Sequence, residues 1–385
     1  MSTSGGVGYS IYSVSILWLA YQISGNLVVA GAVLFVELAT YSLTFVIGPL
    51  VDRAADKRTI FLACFPVQAA AAGALALGLS RGFLTIPLLL GLVVVISLLW
   101  DFAWAAGNTA TRLLLSPDEM FAAQGLSGLV NGGNTVAGYA VGGTLILLVG
   151  AGGGLLLYAV LLAVAAGLAI WVRVPAAPTV PSSFGPSFRE GWKTVFAGEG
   201  RPLLLLSLMD GVRGFVSNGP ALLITLAANV IFRDPAQAYG VLFTVYIVGG
   251  VASGLIWGHI NPRHRVGPLL VLSLVVTGIA VVLGVRSAPL WVATLPLWFL
   301  AGFAIDAYTG ARSAFLEGSL PADQLGRVTS NLYLFQGVTS AIGALVIGLV
   351  AVTWTPLEVA GLVAGGFVVA GLLGAVFPAV RRLRY

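Results

Sequence analysis

Long runs of apolar residues, separated by short polar segments, cover almost the whole chain. A helix that crosses a bilayer needs roughly 20 consecutive apolar residues. On this basis we predict spans at 6–23, 28–50, 59–79, 84–106, 122–148, 153–172, 202–227, 238–257, 266–283, 290–310, 328–352 and 357–377. The pattern therefore predicts an all-α polytopic membrane protein with twelve transmembrane helices.

Composition supports lipid rather than water as the solvent. Hydrophobic residues make up 58% of the 385 residues and charged residues only 9%, whereas a soluble domain carries about 25% charged residues. Glycine is abundant, with 50 residues, as expected where transmembrane helices approach closely. We conclude that the lipid bilayer is the first partner of this chain.

One connection is longer than the others and divides the chain into two halves. It spans residues 173–201 and opens with a Pro-rich stretch at 174–181, a composition typical of linkers. Residues 188–196 could form a short amphipathic helix on the inner membrane face. The resulting domains are an N-terminal six-helix half (1–172), a cytoplasmic linker (173–201) and a C-terminal six-helix half (202–385).

The distribution of Lys and Arg predicts the orientation in the membrane. With the N-terminus inside, only Arg81, Arg233 and Arg286 fall in outer loops. The inner segments then carry fifteen basic residues: Arg53, Lys57, Arg58, Arg112, Arg173, Arg189, Lys193, Arg201, Arg263, Arg265, Arg312, Arg327, Arg381, Arg382 and Arg384. This positive-inside bias predicts a multi-pass protein of the cell (cytoplasmic) membrane, with both termini in the cytoplasm.

The two halves carry an internal repeat. Asp101 precedes Pro117 by sixteen residues, and Asp306 precedes Pro321 by fifteen, so the offsets between the halves are 205 and 204 residues. Chance similarity between apolar runs is the alternative, but the matched Asp and Pro positions favour a repeat. Two pseudo-symmetric six-span repeats around a midplane site are the architecture of many secondary transporters.

The loop after the second predicted span reads GPLVDRAADKR from Gly48 to Arg58. It resembles the G-x-L-x-D-R-x-G-R-R/K signature of the major facilitator superfamily, with Ala55 in place of the second Gly and Asp56 in place of an Arg. The resemblance implies the major facilitator fold. It also implies an inner gate, formed by Gly48, Asp52, Arg53, Lys57 and Arg58.

The fifth predicted span resembles the antiporter signature G-x8-G-x3-G-P-x2-G-G of the same superfamily. The matching glycines are Gly125, Gly138, Gly142 and Gly143, whereas Asn134 and Tyr139 replace a Gly and a Pro. Stretches at 17–25, 189–192 and 320–328 are similar to the drug-exporter subgroup that includes macrolide and enterobactin exporters. The subgroup resemblance implies efflux of multiple drug-like substrates.

Ionisable residues inside a bilayer cost several kcal/mol, roughly 2.5–3.5 each on insertion scales, and are therefore functional candidates. This chain has five: Glu37, Asp101, Asp210, Arg213 and Asp306. In the superfamily, spans 1, 4, 7 and 10 line a central cavity, and the resemblance places all of these except Glu37 on such spans. We expect Glu37, Asp210, Asp306 and Asp101 to be candidates for proton coupling.

Each of these assignments has an alternative. Glu37 could be a neutral carboxyl bonded to a neighbouring helix, and Asp210 could form a fixed salt bridge with Arg213, three residues on. Arg213 could instead contact an anionic group of the substrate. Asp101 could act at the gate by pairing with Arg53, Lys57 or Arg58, in the way the family's acidic residue at this end of span 4 can.

Further polar and aromatic residues are candidates for lining the substrate cavity, namely Trp100, Trp104 and Asn218, together with Arg213. The two tryptophans are four residues apart and could stack on a flat or cationic substrate, but they could equally be interfacial aromatics. Asn218 could instead form an interhelical hydrogen bond.

Several classes of function are not indicated. There is no G-x-x-x-x-G-K-[ST] phosphate loop and no H-E-x-x-H motif, the single cysteine permits no Cys cluster, and His259 and His264 are the only histidines. We therefore expect no metal site, no cofactor and no enzyme activity. The basic residues are spread over many loops, so we expect no nucleic-acid partner.

Taken together, the residues and the resemblance favour a monomeric, proton-coupled secondary transporter that exports small amphipathic molecules by alternating access. Protons would be the coupling ion in an antiport cycle. An uncoupled facilitator or a lipid flippase on the same fold is the first alternative. A non-transporting membrane sensor or scaffold is the second, although such a protein does not need a gate signature.

Overall fold

The computed structural model of the chain describes residues 2–54, 56–114, 117–171, 201–231, 235–260, 266–319 and 322–377. Every regular element in these ranges is a helix. The predicted linker and its amphipathic helix lie outside the described residues, apart from Arg201, which begins a helix. The predicted all-α class is therefore confirmed.

The segments before the linker are strongly apolar. In lipid such segments form helices, because a helix satisfies its own backbone N–H and C=O groups internally. In chain order they are α1 (Ser2–Ser24), α2 (Leu27–Ser42), α3 (Thr44–Arg53), α4 (Lys57–Ser80), α5 (Ile86–Leu114) and α6 (Pro117–Ala169). The last of these is interrupted at Gly150, where φ is 74° and ψ is 177°. This break falls between the fifth and sixth predicted spans.

The helices after the linker follow the same pattern. They are α7 (Arg201–Val216), α8 (Gly219–Ile231), α9 (Pro235–Ile260), α10 (Val266–Arg286), α11 (Trp291–Ser319), α12 (Ala322–Val350) and α13 (Pro356–Val376). The last helix begins with a capping box, in which the Thr355 and Glu358 side chains each bind the backbone of the other, an arrangement that satisfies free N–H groups at a helix start.

Within the described ranges, eight helical stretches are long and apolar enough to cross a membrane, which makes this a multi-pass membrane protein. They are 57–80, 86–110, 137–169, 237–257, 266–286, 292–316, 331–350 and 356–376. Because 137–169 covers parts of two predicted spans, these stretches account for nine of the twelve. The first, second and seventh predicted spans are helical but do not meet this test.

Two predicted spans are broken rather than continuous. The span predicted at 28–50 is interrupted by a turn at Leu43. Just before it, the Ser42 hydroxyl donates a hydrogen bond to the Leu38 carbonyl oxygen at 2.8 Å, and hydrogen bonds of this kind often bend helices. The span predicted at 202–227 turns at 217–218. There Pro220 lacks an N–H group and cannot continue the preceding helical ladder.

The chain forms two compact units. The first contains Met1–Gly25 with Val36–Ser182, and the second contains Asn26–Phe35 with Ser183–Tyr385. The start of α2 groups with the second unit because its backbone touches that of α12. A Cβ added at Gly31 would lie 2.6 Å from the Ala344 carbonyl oxygen.

Glycine permits the closest helix contacts inside each unit. In the first, a Cβ added at Gly138 of α6 would lie 2.7 Å from the Val7 carbonyl oxygen of α1. In the second, a Cβ at Gly343 of α12 would lie 1.7 Å from the Phe215 carbonyl oxygen of α7. Close approach through small residues is the usual way that membrane helices pack, and here it brings α7 against α12.

Candidate functional site

The first unit contains two carboxyl groups that each have a buried oxygen. Glu37 lies on α2 and Asp101 on α5, and the two are close enough to interact electrostatically. Asp101 is 4% exposed. One oxygen of each group, Oε1 of Glu37 and Oδ2 of Asp101, is buried without a hydrogen-bond partner among the described residues. Such a pair is costly when both members are ionised.

The neighbours of this pair are hydroxyl groups rather than cations. Thr40, one turn after Glu37, is a hydrogen-bonding neighbour of Asp101. Within electrostatic range of Glu37 lie the hydroxyls of Tyr9, Tyr12, Tyr139 and Tyr158. In the described part of the chain neither carboxyl forms a salt bridge. Among the described residues Asp101 therefore interacts electrostatically with Glu37 and forms no ion pair with Arg53, Lys57 or Arg58.

The two candidate tryptophans flank Asp101 on α5, and each has an aromatic neighbour. The Trp100 ring stacks on Tyr9 of α1, with centroids 4.2 Å apart and planes 11° from parallel. Trp104 meets Tyr41 of α2 edge to face at 6.4 Å and is itself 48% exposed. The carboxyl pair thus lies among aromatic rings, one of which is exposed.

The second unit contains a charged cluster around Asp210 of α7, which is fully buried. Both of its carboxylate oxygens have partners on α11. The Tyr308 hydroxyl donates to Oδ1 at 2.8 Å, and Arg312 donates to Oδ2 through its Nε. Charge-assisted hydrogen bonds of this kind are among the strong ones in proteins.

Arg213 lies at the edge of this cluster. Its Nε is 3.5 Å from Oδ1 of Asp210, an ion pair that is not also a hydrogen bond. Its guanidinium carbon lies 5.1 Å from the centroid of the Tyr308 ring, and that of Arg312 lies 5.2 Å from the Tyr333 ring. The predicted pair of Asp210 and Arg213 is thus present, but Arg312 is the principal partner.

Arg312 corrects the sequence-based assignment of basic residues. The predicted end of the tenth span at residue 310 assigns Arg312 to a cytoplasmic segment. In the structure α11 continues to Ser319, and Arg312 is 2% exposed, within a stretch that can cross a membrane. Without Arg312, the inner segments carry fourteen Lys and Arg residues instead of fifteen, against three in the outer loops. The small and apolar residues after it, Ala314, Phe315 and Leu316, were the available signal.

Asp306 differs from its repeat counterpart Asp101. It lies on α11, and its Oδ2 would be 1.8 Å from a Cβ added at Gly250 of α9. Its side chain is exposed. Asp306 interacts electrostatically with Arg213, although among the described residues it forms no ion pair.

The gate-like loop has a defined local structure. Lys57 is fully buried, and its Nζ donates to the carbonyl oxygens of Val51 (2.7 Å) and Ala54 (2.6 Å). A cation at these carbonyls stabilises the end of α3.

Asp56 caps the start of α4, because its carboxylate accepts from the Arg58 N–H at 2.9 Å. Asp56, which replaces an Arg of the loop signature, therefore has a structural role as the N-cap of α4. Gly48 and Asp52 lie in α3, and Arg53 is exposed.

The antiporter-like glycines lie on α6. Gly138 and Gly142 contact α1, the latter with an added Cβ only 3.3 Å from the Ile11 Cα. Gly143 is buried, and Gly125 is helical. The observed role of Gly138 and Gly142 is therefore close packing of α1 on α6.

Asn218 lies in the turn between α7 and α8. Its carbonyl accepts the Leu222 N–H at 3.1 Å, while Ser217 contacts the Ser340 hydroxyl at 3.0 Å. Asn218 itself does not contact the Asp210 cluster through any hydrogen bond recorded for the described residues. Nor do those residues include a group of three His, Cys, Asp or Glu side chains able to hold a metal ion.

Sequence comparison identifies relatives of this chain. Residues 212–384 match the Major Facilitator Superfamily. The chain is also similar to the enterobactin exporter EntS of Shigella flexneri, with 29% identity over 193 residues, which are 47% of this chain and 46% of that protein. For EntS of Salmonella typhi the identity is 29% over 161 residues, 39% of this chain and 38% of the relative. These matches span less than half of the relatives' length.

Structural comparison covers much more of the chain. A mutant of the nucleoside transporter NupG superposes with a TM-score of 0.77 and 13% identity, covering 97% of this chain and 98% of that one. An auto-inhibited peptide transporter of the POT family gives 0.75 and 13%, covering 100% and 96%. At such identities the likeness establishes the fold. The chain thus matches the Major Facilitator Superfamily in sequence over residues 212–384, and along almost its whole length it shares the fold of these transporters.

Proposed function

We propose that this protein is a secondary active transporter that exports a small amphipathic molecule in exchange for protons. The observation that carries the proposal is that Glu37 and Asp101 interact electrostatically in the first unit, each with a buried carboxyl oxygen that has no hydrogen-bond partner and neither in a salt bridge among the described residues. The family and fold of the chain are consistent with transport by alternating access.

The chemistry of the pair suits proton binding. Two neighbouring carboxylates in a poorly solvated site repel each other, so at least one of them favours the protonated form. A change of conformation that opens the site to water on one side removes that constraint and releases the proton. The aromatic rings of Trp100 and Trp104 beside Asp101 supply an apolar surface for the substrate in the same unit.

A proton gradient would supply enough energy for uphill export. One proton yields about 1.4 kcal/mol per pH unit and about 2.3 kcal/mol per 100 mV of membrane potential. Export, rather than import, is favoured by the similarity to proteins named enterobactin exporters. Glu37 and Asp101 are the first coupling candidates on geometry, with Asp306 third because it is exposed, and Asp210 last because two arginines already engage it.

The test is proton flux in liposomes. Purified protein would be reconstituted with a pH-sensitive dye inside, and amphipathic cations, macrolides and siderophore-like anions would be added in turn under a pH gradient. We expect one class to elicit proton flux, which Glu37→Gln and Asp101→Asn each abolish. Glu358→Gln is the matched control, because Glu358 is exposed in a capping box that Gln also supports.

Two results would overturn the coupling mechanism. Proton flux that survives in both Glu37→Gln and Asp101→Asn would remove these residues from the mechanism. Substrate movement without any proton flux would favour the uncoupled facilitator or the lipid flippase. If no member of the panel moves or stabilises the protein, a sensor or scaffold becomes the better description.

We further propose two six-helix halves (1–172 and 202–385), a monomeric state, and a cell-membrane location with both termini in the cytoplasm. Fourteen basic residues against three support this orientation after removal of Arg312. Epitope tags at the two ends of the chain, probed in intact and in permeabilised cells, should be reached only after permeabilisation. Labelling of either tag in intact cells would contradict the orientation.

A further inference from the structure

The Asp210 cluster contains more positive than negative hydrogen-bonding groups. Two arginines, Arg213 and Arg312, share one buried carboxylate. Each of the two Asp210 oxygens already accepts a hydrogen bond on α11, from Tyr308 or from Arg312. A carboxylate has about four acceptor sites, whereas the two guanidiniums have five N–H donors each, so Asp210 cannot satisfy all of them.

The unused donors can be named. The Nη2 atom of Arg312 and the Nε atom of Arg213 are buried, and neither has a hydrogen-bond partner among the described residues. A buried donor without an acceptor costs about 1–3 kcal/mol, and more when the group is charged. Native structures seldom keep such atoms unless a ligand, an ion or water completes them.

The geometry points to a binding site for an anionic group of the substrate in the second unit, with Arg312 and Arg213 as its donors. This inference rests on the proposed transport function and adds the substrate class to it. A planar guanidinium offers two parallel donors that match a carboxylate or phosphate. We expect the ligand to present such a group.

One aromatic ring lies against the proposed anion-binding arginine Arg312. Tyr333 of α12 lies against the Arg312 guanidinium at 5.2 Å and is itself 43% exposed. Arg312, behind this ring, is 2% exposed. Gly211 of α7 allows α12 to approach closely, because a Cβ at this position would lie 2.5 Å from the Phe335 ring of α12.

Asp306 is the remaining charge near the site. It interacts with Arg213 electrostatically, and its side chain is exposed. A negative charge there competes with an anionic ligand for Arg213. Removing it should therefore strengthen anion binding, which is an effect that a purely structural role of the arginines does not predict.

The cluster is specific to the second half of the repeat. With the offset of 205 residues, Arg312 corresponds to Gly107 of α5 and Tyr308 to Ala103. The first unit therefore lacks these cationic and phenolic groups at the equivalent positions. A role in the shared scaffold would be expected in both halves, so the difference favours a role in ligand recognition.

The first experiment measures binding without any gradient. Protein in phosphatidylcholine nanodiscs would be titrated with benzoate, with its neutral analogue benzamide and with inorganic phosphate. We expect benzoate to bind at least about tenfold more tightly than benzamide. Arg312→Lys, which keeps the charge beside Asp210 but loses the planar fork, should remove that preference, and so should Arg213→Gln. Asp306→Asn should increase it.

Two controls separate loss of anion binding from unspecific effects of the substitutions. Arg286→Gln changes an exposed arginine of α10 and should leave both affinities unchanged. Thermal unfolding of each variant separates lost binding from lost folding; if Arg312→Lys does not fold, Arg213→Gln and Asp306→Asn carry the test. Nanodiscs with added phosphatidylglycerol distinguish the source of the anion, since competition with benzoate would indicate a lipid headgroup.

The inference is overturned if benzoate, phosphate and phosphatidylglycerol all bind no better than their neutral counterparts, or if the variants bind benzoate as the wild type does. Its failure is distinguishable from failure of proton coupling. Loss of proton flux in Glu37→Gln with normal benzoate binding leaves the anion site intact. Normal flux with no anion preference removes the site and leaves the transport function.

Discussion

Arg312 and Asp210 are 102 residues apart in the chain and form a buried ion pair between α11 and α7. Their side chains are 2% and 0% exposed. The sequence suggested Arg213, one turn along the same helix, as the partner of Asp210. Arg213 approaches only to 3.5 Å and donates no hydrogen bond through Nε, so the long-range partner holds the carboxylate.

Removing one partner of this pair should destabilise the fold. Arg312→Gln leaves Asp210 buried with one fewer cation, and breaking a buried pair in this way costs about 3–5 kcal/mol. We expect a clear fall in the unfolding temperature of the purified protein in detergent. The double variant Asp210→Asn with Arg312→Gln should regain a large part of that loss, because no uncompensated charge remains. A double variant no more stable than Arg312→Gln alone would contradict the pairing.

The hydroxyl of Tyr308 should contribute separately to the same site. Tyr308→Phe keeps the ring beside Arg213 and removes the donor to Oδ1 of Asp210. A hydrogen bond to a charged group contributes about 1.5–3 kcal/mol, so we expect a loss of that order in detergent unfolding. Tyr333→Phe is the control, since Tyr333 is 43% exposed. Equal stability of Tyr308→Phe and wild type would exclude a stabilising bond.

The contact between α7 and α12 should not tolerate a methyl group. Gly343→Ala would place a Cβ 1.7 Å from the Phe215 carbonyl oxygen, and forced backbone shifts of this kind cost typically about 1–3 kcal/mol. Gly365→Ala is the matched control in α13, where an added Cβ meets nothing within 4 Å. It should stabilise its helix by about 0.5–1 kcal/mol. Thermal unfolding of the two variants should therefore shift in opposite directions.

The buried lysine of the gate-like loop should stabilise the end of α3. Lys57→Gln shortens the side chain and weakens its two bonds to the Val51 and Ala54 carbonyls, each worth about 1.5–3 kcal/mol when the donor is charged. We expect faster amide hydrogen exchange in residues 50–60 by mass spectrometry. Arg53→Gln, at an exposed position, should leave exchange close to that of the wild type. Similar exchange in both variants would assign Lys57 no capping role.

The membrane helices were predictable because hydropathy is a local property. Each apolar run must satisfy its own backbone polar groups in lipid, and a helix is the way a single segment does so. The turns at Leu43 and at 217–218 were not predicted, since hydropathy does not register hydroxyl back-bonding or the missing N–H of Pro220. The tenth span, predicted to end at 310, extends to Ser319 in α11 for a related reason, because hydropathy does not register that the charge of Arg312 is buried against Asp210.

The sequence predicted which residues are candidates, but not which residues they contact. Rarity of charge in apolar sequence singled out Glu37, Asp101, Asp210 and Arg213. Their partners depend on which helices lie side by side, and no periodicity in one helix encodes that. Thus Asp101, expected near the basic loop, lies beside Glu37, while Asp210 lies beside Arg312.

The sequence by itself determined the solvent of this protein, its helical class and the family it resembles, because all three depend on residue types and short spacings. Only the tertiary structure decided that Arg312 is buried against Asp210 and that donors of two arginines remain unused. The physical reason is that a buried charge is stabilised by whichever opposite charge packing brings within a few ångströms. In this chain the packing of α7 beside α11 brings Asp210 within hydrogen-bond reach of Tyr308 and Arg312.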